Sequence, residues 1–142
     1  MKPPFPAPRV LLCADQEAAV GDVRTLLEQA GCAVRWHGVN GREPDDLAAH
    51  HLVVLDDGAP GGAALRFCRR LRVGLTDAFV PILFLTRDHD PATRLASLEG
   101  GADTYLLRPF APGELLAQVQ AFLRIKELHD RLAETKIGRA HV

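Results

Sequence analysis

The stretch from His51 to Gly62, H-L-V-V-L-D-D-G-A-P-G-G, limits what this chain can fold into more than any other. Four consecutive aliphatic residues, Leu52 to Leu55, leave no polar face, so they suit a strand covered on both sides, as an interior strand of a parallel sheet is. The run stops at Asp56, Asp57 and a glycine-rich turn. In open α/β sheets ligands bind in the crevice outside the carboxyl ends of the strands, so a carboxylate there is placed for chemistry. Taken alone, Asp-Asp-Gly also reads as a turn with an exposed acid. The rest of the chain decides against that reading.

Arg9 to Cys13 is a first apolar strand, ending at Ala14 and Asp15. Val20, Val23, Leu26, Leu27 and Ala30 recur at helical spacing and Gly31 stands where a C-terminal cap belongs. Cys32 to Trp36 reads as a second strand and Glu43 to Ala49 as a short helix with Leu47 inward. After the third strand, Ala63 to Arg72 is helical, with Leu65, Cys68 and Leu71 on one side. Val80 to Leu85 is a fourth strand ending at Thr86, Pro91 to Leu98 a helix closed by Gly100 and Gly101, and Thr104 to Leu107 a fifth strand ending at Arg108 and Pro109. The final helix opens at Pro112, a residue suited to a first turn. Five strands alternating with five helices predict an α/β fold, a parallel sheet with helices on both faces and right-handed crossovers. Asp15, Asp56, Thr86 and Arg108 then all fall at the carboxyl ends of strands, on one rim.

A chain of 142 residues, 47% hydrophobic and 25% charged, has the usage of one globular domain with tails. A net charge of -1 gives no footprint for nucleic acid, and no Lys/Arg run suggests an anionic membrane. Cys13, Cys32 and Cys68 are odd in number and widely spaced, which predicts reduced thiols of a cytoplasmic protein. The histidines show no ligand spacing; His50 and His51 flank the third strand. Met1 to Pro8 carries four prolines and one lysine and reads as a flexible lead, neither signal peptide nor membrane span. No G-x-G-x-x-G or P-loop follows any strand, so a nucleotide-binding or enzymatic reading of the sheet lacks support.

The order of apolar strand, acidic turn, strand ending in Asp, Pro four residues later, strand ending in Thr, and basic-Pro-Phe resembles the receiver domain of two-component response regulators. The resemblance spans roughly residues 9–126. It rests on Asp56 with Pro60 and Gly61, Thr86, the run Gly100 to Asp103, Tyr105, and Arg108 with Pro109 and Phe110. It implies a flavodoxin-like, doubly wound, five-stranded sheet of order 2-1-3-4-5, in which strands one and three are neighbours and Asp15 faces Asp56. It also implies that Asp56 accepts phosphate from a histidine kinase or phosphotransfer protein, with Mg²⁺ held by Asp15, Asp56 and the Gly58 backbone carbonyl. The residue types suit that chemistry: a carboxylate attacks an anionic phosphoryl group poorly unless a divalent cation spreads the charge, and Mg²⁺ prefers oxygen ligands. By the same resemblance Thr86 and Arg108 contact the phosphoryl group and Tyr105 turns inward behind Thr86. The face of helix four, strand five and helix five then changes shape to control an output domain or a dimer partner. Such a domain phosphorylates and dephosphorylates itself and is not an enzyme with a separate substrate.

Several positions depart from the family pattern. Ala14 stands where the first of two acids is usual, an acid that holds a metal-bound water; its loss predicts metal affinity lowered by about 10 to 100-fold. Arg108 replaces the usual lysine, a planar fork in place of a compact ammonium. Arg87 replaces a small residue beside Thr86, and Gly58 and Asp88 take the positions that tune phosphate lifetime. These departures keep open a second reading, a pseudo-receiver that works as a phosphorylation-independent interaction or dimerisation module.

In the last helix, Leu115, Leu116, Val119, Phe122 and Leu123 make a stripe for the sheet, and Ala121, Ile125, Leu128 and Leu132 follow at spacings of four, three and four, an a/d seam. Pro112 to Glu134 would run about 35 Å, longer than the domain needs. The seam predicts a signalling or coiled-coil extension over 127–135 that leads to a dimer partner or to an output domain missing from this chain. Lys136 to Val142, K-I-G-R-A-H-V, is what the common sequencing adapter AGATCGGAAGAGCACACGTC encodes when one nucleotide precedes it in frame. These residues are accordingly expected to be a non-native read-through tail.

Overall fold

The computed structural model describes residues 6–58 and 60–140. Residues 1–5 of the expected lead, Ala59 of the central stretch and the last two residues of the expected tail lie outside it. In chain order the elements are β1 (Arg9–Ala14), α1 (Gly21–Gln29), β2 (Ala33–Gly38), β3 (Leu52–Asp56), α2 (Ala63–Gly74), β4 (Ile82–Thr86), α3 (Pro91–Glu99), β5 (Thr104–Leu107) and α4 (Pro112–Ala140). All four strand pairs are parallel and the sheet order is β2-β1-β3-β4-β5, the predicted flavodoxin-like arrangement.

β3 lies at the centre, and Leu52, Val53, Val54 and Leu55 are each fully buried. Successive strand residues point to opposite faces, so the aliphatic run splits between two cores. Val53 and Leu55 join Leu11, Cys13, Ile82 and Phe84 against Phe67, Cys68 and Leu71 of α2. Leu52 and Val54 join Val10, Leu12, Leu83 and Leu85 against Val23 and Leu27 of α1 and Leu115, Val119 and Leu123 of α4. A strand with apolar residues at every position is stable only where both layers are covered, which places its polar end, Asp56, at the rim.

Among the described residues four α-helices form, not five. The segment expected as a helix from Glu43 to Ala49 makes a single 3-10 turn, Leu47–Ala49. Pro44 disfavours helix for the residue before it, and Leu47 is the segment's sole buried anchor, too little to offset the cost of a helical nucleus. Glu43 and Asp46 instead pair with Arg70 and Arg35. In α2 the buried face is Ala64, Phe67, Cys68 and Leu71, with Leu65 half-buried beside it. Strand β4 begins at Ile82 and not Val80, because Pro81 lacks an N–H; the Pro81 carbonyl accepts from Val53 N–H at 2.9 Å. Cys13, Cys32 and Cys68 are buried free thiols, and burial pushes Cys68 up to about 11.

Helix α4 continues past Glu134 to Ala140, about 44 Å for its 29 residues. Lys126 Nζ donates to the Phe79 carbonyl at 2.8 Å and to Asp130 at 2.9 Å, and the His129 ring lies 4.7 Å from that of Phe79. These contacts tie the helix to the loop before β4. No helix among the described residues is long and apolar enough to cross a membrane.

The Gly100 to Asp103 run joins α3 to β5 and clamps three elements. The Asp103 carboxylate accepts from Ile82 N–H at 2.7 Å and from Arg72 at 2.8 Å, while Arg72 also donates to the Gly101 carbonyl. Gly101 has φ of 115°, and a Cβ there would lie 2.8 Å from Arg72 Cβ. Gly31 has φ of 92° with nothing within 4 Å. Both positions strain an alanine, but only Gly101 adds a clash, so in urea unfolding Gly101→Ala should cost about 2–4 kcal/mol and Gly31→Ala about 1. Equal losses would mean that the Arg72 contact yields freely.

Candidate functional site

The rim at the carboxyl ends of β3, β4 and β5 encloses a cleft of about 520 Å³ lined by Asp56, Asp57, Gly58, Thr86, Arg87, Asp88 and Arg108 among others. Asp56 closes β3 and is 7% exposed. Its Oδ1 accepts from Gly58 N–H at 2.8 Å, an Asx-type turn. A Cβ on residue 58 would lie 2.8 Å from that oxygen, so glycine is what lets the amide approach.

Arg108 follows β5, and its N–H donates to the Thr86 carbonyl at 2.7 Å, carrying the sheet register one step past the strand. The Arg108–Pro109 peptide is cis. Arg108 Nε donates to Asp56 Oδ2 at 3.0 Å, and the guanidinium lies 5.2 Å from the Phe110 ring centre. Its other edge meets Asp22, in the first turn of α1: Nη1 donates to Oδ2 at 2.9 Å and Nη2 reaches Oδ1 at 3.5 Å. Burial opposes the charge on both side chains, but their mutual bonds outweigh it. Asp22 is held below the usual carboxylate range, and Arg108 is raised by Asp22 and by the nearby charge of Asp56.

Thr86 closes β4 and is almost fully buried. Its hydroxyl donates to Asp57 Oδ2 at 3.2 Å and accepts from Asp88 N–H at 3.0 Å. Asp88 in turn accepts from Asp90 N–H and from the Thr93 hydroxyl. Tyr105 is half-buried on β5 against the α2-side core, and Arg94 of α3 covers it, 5.4 Å from the ring centre, with Nη1 3.4 Å from the phenol oxygen.

Asp56, Gly58, Thr86 and Arg108 therefore meet at one cleft, and Tyr105 stands on the neighbouring strand. Asp15 is not brought there: its carboxylate accepts from Asn40, after β2, and it does not line the cleft. Nor does it cap a helix: Gln16 precedes the first 3-10 turn and Val20 precedes α1. Ala14 is wholly buried and offers no oxygen side chain. Among the described residues no three His, Cys, Asp or Glu side chains gather to hold a metal. The donors that remain, Asp56 and the Gly58 carbonyl, are hard oxygens, and Mg²⁺ accepts one or two carboxylates with waters for the rest. The residues fit Mg²⁺ in kind, with Arg108 already on one Asp56 oxygen.

Sequence reasoning missed Asp22, Asp57, Asn40 and Arg94 as partners. Asp57 was visible beside Asp56 but has no role in a motif. Asp22 had one signal: an acid in the first turn of α1 lies at the same rim.

A doubly wound sheet with an acid, a hydroxyl and a cation closing β3, β4 and β5 defines a class of phosphoryl-handling switch domains, and known proteins agree. The sequence profile of the response regulator receiver domain matches residues 10–120. Over 119 residues the chain is 36% identical to the transcriptional regulatory protein GltR of Pseudomonas aeruginosa, covering 82% of this chain and 49% of that protein. It is 40% identical to the response regulator MprA of Mycolicibacterium vanbaalenii, covering 82% and 50%. The BeF3-activated N-terminal receiver domain of RstA from Klebsiella pneumoniae superposes with a TM-score of 0.69 at 26% identity, covering 82% of this chain and 98% of that one. The chain belongs to the response regulator receiver domain family, whose members are signalling switches of two-component systems. It spans about half the length of the curated relatives it matches.

Burial raises the Asp57 carboxyl above the usual range, the Thr86 bond offsets part of this, and the charges of Asp56 and Asp88 add to it. A fold that disfavours ionisation loses stability as pH rises from the ordinary carboxylate range through the raised value. Asp57→Asn keeps an oxygen for Thr86 and cannot ionise. Its thermal midpoint should exceed wild type by about 2 °C near pH 7 and match it near pH 3. A gain of the same size at both pH values would show that charge is not the cause.

Proposed function

We propose that Asp56 is the phosphoacceptor of this domain, taking a phosphoryl group from a histidine kinase or phosphotransfer protein. The observation that carries this reading is the Asp56 carboxylate at the floor of the cleft, with the Gly58 amide on one oxygen and Arg108 on the other. Each oxygen keeps a lone pair, so either can form the new O–P bond while the bond to the donor breaks. Asp56 and the Gly58 carbonyl would hold Mg²⁺, which would supply charge neutralisation between carboxylate and phosphoryl group; Asp15, turned to Asn40, would have to leave that partner to join them. Arg108 adds a cation at Asp56 Oδ2. Thr86, lining the same cleft, exchanges its Asp57 contact for the phosphoryl group. Tyr105 then moves inward from beneath Arg94, and the α3–β5–α4 face, the counterpart of the expected helix four, strand five, helix five face, shifts its population.

The extension of α4 points to the next partner. Ile125, Leu128 and Leu132 are 47%, 58% and 64% exposed on a helix otherwise packed against the sheet. We assign this seam to a second copy of the chain, in a parallel pair that leads to an output domain. The buried free thiols suit a reducing, cytoplasmic setting.

Intact mass after incubation with Mg²⁺ and acetyl phosphate tests the acceptor. One phosphate adduct is expected on the wild-type chain and none on Asp56→Asn; an adduct that persists in the variant would place the chemistry elsewhere, and no adduct in either would favour a pseudo-receiver. Sedimentation velocity tests the seam. Dimer at high micromolar concentration should be lost in the Leu128→Lys, Leu132→Lys double variant, and a wild-type chain that stays monomeric would end the assignment.

A further inference from the structure

Arg108 serves two carboxylates that come from distant parts of the chain, Asp56 at the end of β3 and Asp22 in the first turn of α1. The Arg108 side chain is 7% exposed and that of Asp22 58%. Of the guanidinium's edges, only Nε faces Asp56, while Nη1 and Nη2, the pair able to grip a phosphoryl group at two points, faces Asp22. An ammonium is a compact point without two separated edges, so this bridge uses the planar fork that arginine supplies.

We propose that Asp22 is a positioning residue of the phosphoacceptor site. It holds the Arg108 fork toward α1 until a phosphoryl group on Asp56 draws the fork across, releasing the first turn of α1 when the site fills. The inference rests on the reading of Asp56 as acceptor. A seated phosphoryl group carries about -1.5 to -2 charge and three strong acceptors in a buried cleft. Asp22 is a single carboxylate half in water, where screening weakens its hold. The fork therefore prefers Asp22 over a bare cleft and the phosphoryl group over Asp22. The depressed titration of Asp22 has Arg108 as its main favourable cause, so release of the fork returns it toward the ordinary range.

Beryllofluoride with Mg²⁺, applied to the whole chain and followed by ¹⁹F NMR, is the probe. A bound resonance in wild type reports a working Asp56 site. Asp22→Asn, which removes the competitor for the fork, should bind the probe about three- to fivefold tighter. Asp22→Glu should return toward wild type, and Asp22→Asn should change nothing in an Arg108→Lys background, where no fork exists to hold. Titration of the Asp22 carboxyl carbon in wild type should shift upward when the probe binds, a readout that needs no variant to fold. Unchanged affinity in Asp22→Asn, or an Asp22 titration indifferent to the probe, overturns the latch while the acceptor reading stands. Absence of any bound resonance overturns the acceptor reading and the latch with it.

Discussion

A carboxyl group that is almost fully buried at the end of a wholly apolar strand must be compensated locally, and the rim of this domain is arranged around that requirement. Asp56 is compensated twice, by the Gly58 amide and by Arg108. The first partner demands a residue without Cβ two positions on; the second demands that β5 end beside β4 with its last bond from Arg108 N–H to the Thr86 carbonyl. β5 is in turn held by the Asp103 clamp on Ile82 and Arg72, at the opposite end of the sheet from the cleft. A single buried charge thus ties together strand order, turn chemistry and the junction of α3 with β5.

The features that recur with a period were legible in the residues. Leu52 to Leu55 announced a doubly covered strand, and the polar residue closing each strand announced the rim, because both follow from burial alone. The weak helix after Glu43 was misjudged because its one inward leucine and its proline oppose each other, and tertiary pairing of Glu43 with Arg70 and of Asp46 with Arg35 settles the segment as loop. Asp15 could not be placed from sequence. It lies one residue beyond the β1 pairing with β2, where the chain leaves the sheet, and a single hydrogen bond from Asn40 decides which way its carboxylate turns. Asp22 was hidden for a similar reason: its partner is 86 residues away and joins no shared motif.

The exchange of lysine for arginine changes more than shape. A lysine brings a compact point charge on a flexible stem, whereas the planar guanidinium reaches two carboxylates from separate edges with its flank on Phe110. With Ala14 removing one acid from the rim and Asp15 turned to Asn40, the cleft has fewer anionic ligands for a divalent ion and a permanent cation beside the one that remains. The two departures do not offset each other in charge: the rim loses a negative group on the β1 side while the β5 side keeps its positive one, which leaves the rim more positive.

Helix α4 carries the consequences away from the rim. Leu115, Val119 and Leu123 bury one face against β1, β3 and β4, and Lys126 with His129 fastens the next turn to the loop before β4. From Ile125 onward the exposed seam lies on nearly the opposite side of the helix from that buried stripe, about 145° around it, so a helix held at both ends of its domain contact presents the seam as a rigid element. Tyr105 sits on β5, the strand next to the one that Thr86 closes, and is covered by Arg94 from α3. Because packed side chains have discrete arrangements, the ring movement proposed above would shift α3 relative to β5 in a step and not by gradual strain, with α4, fixed to the sheet, as its frame.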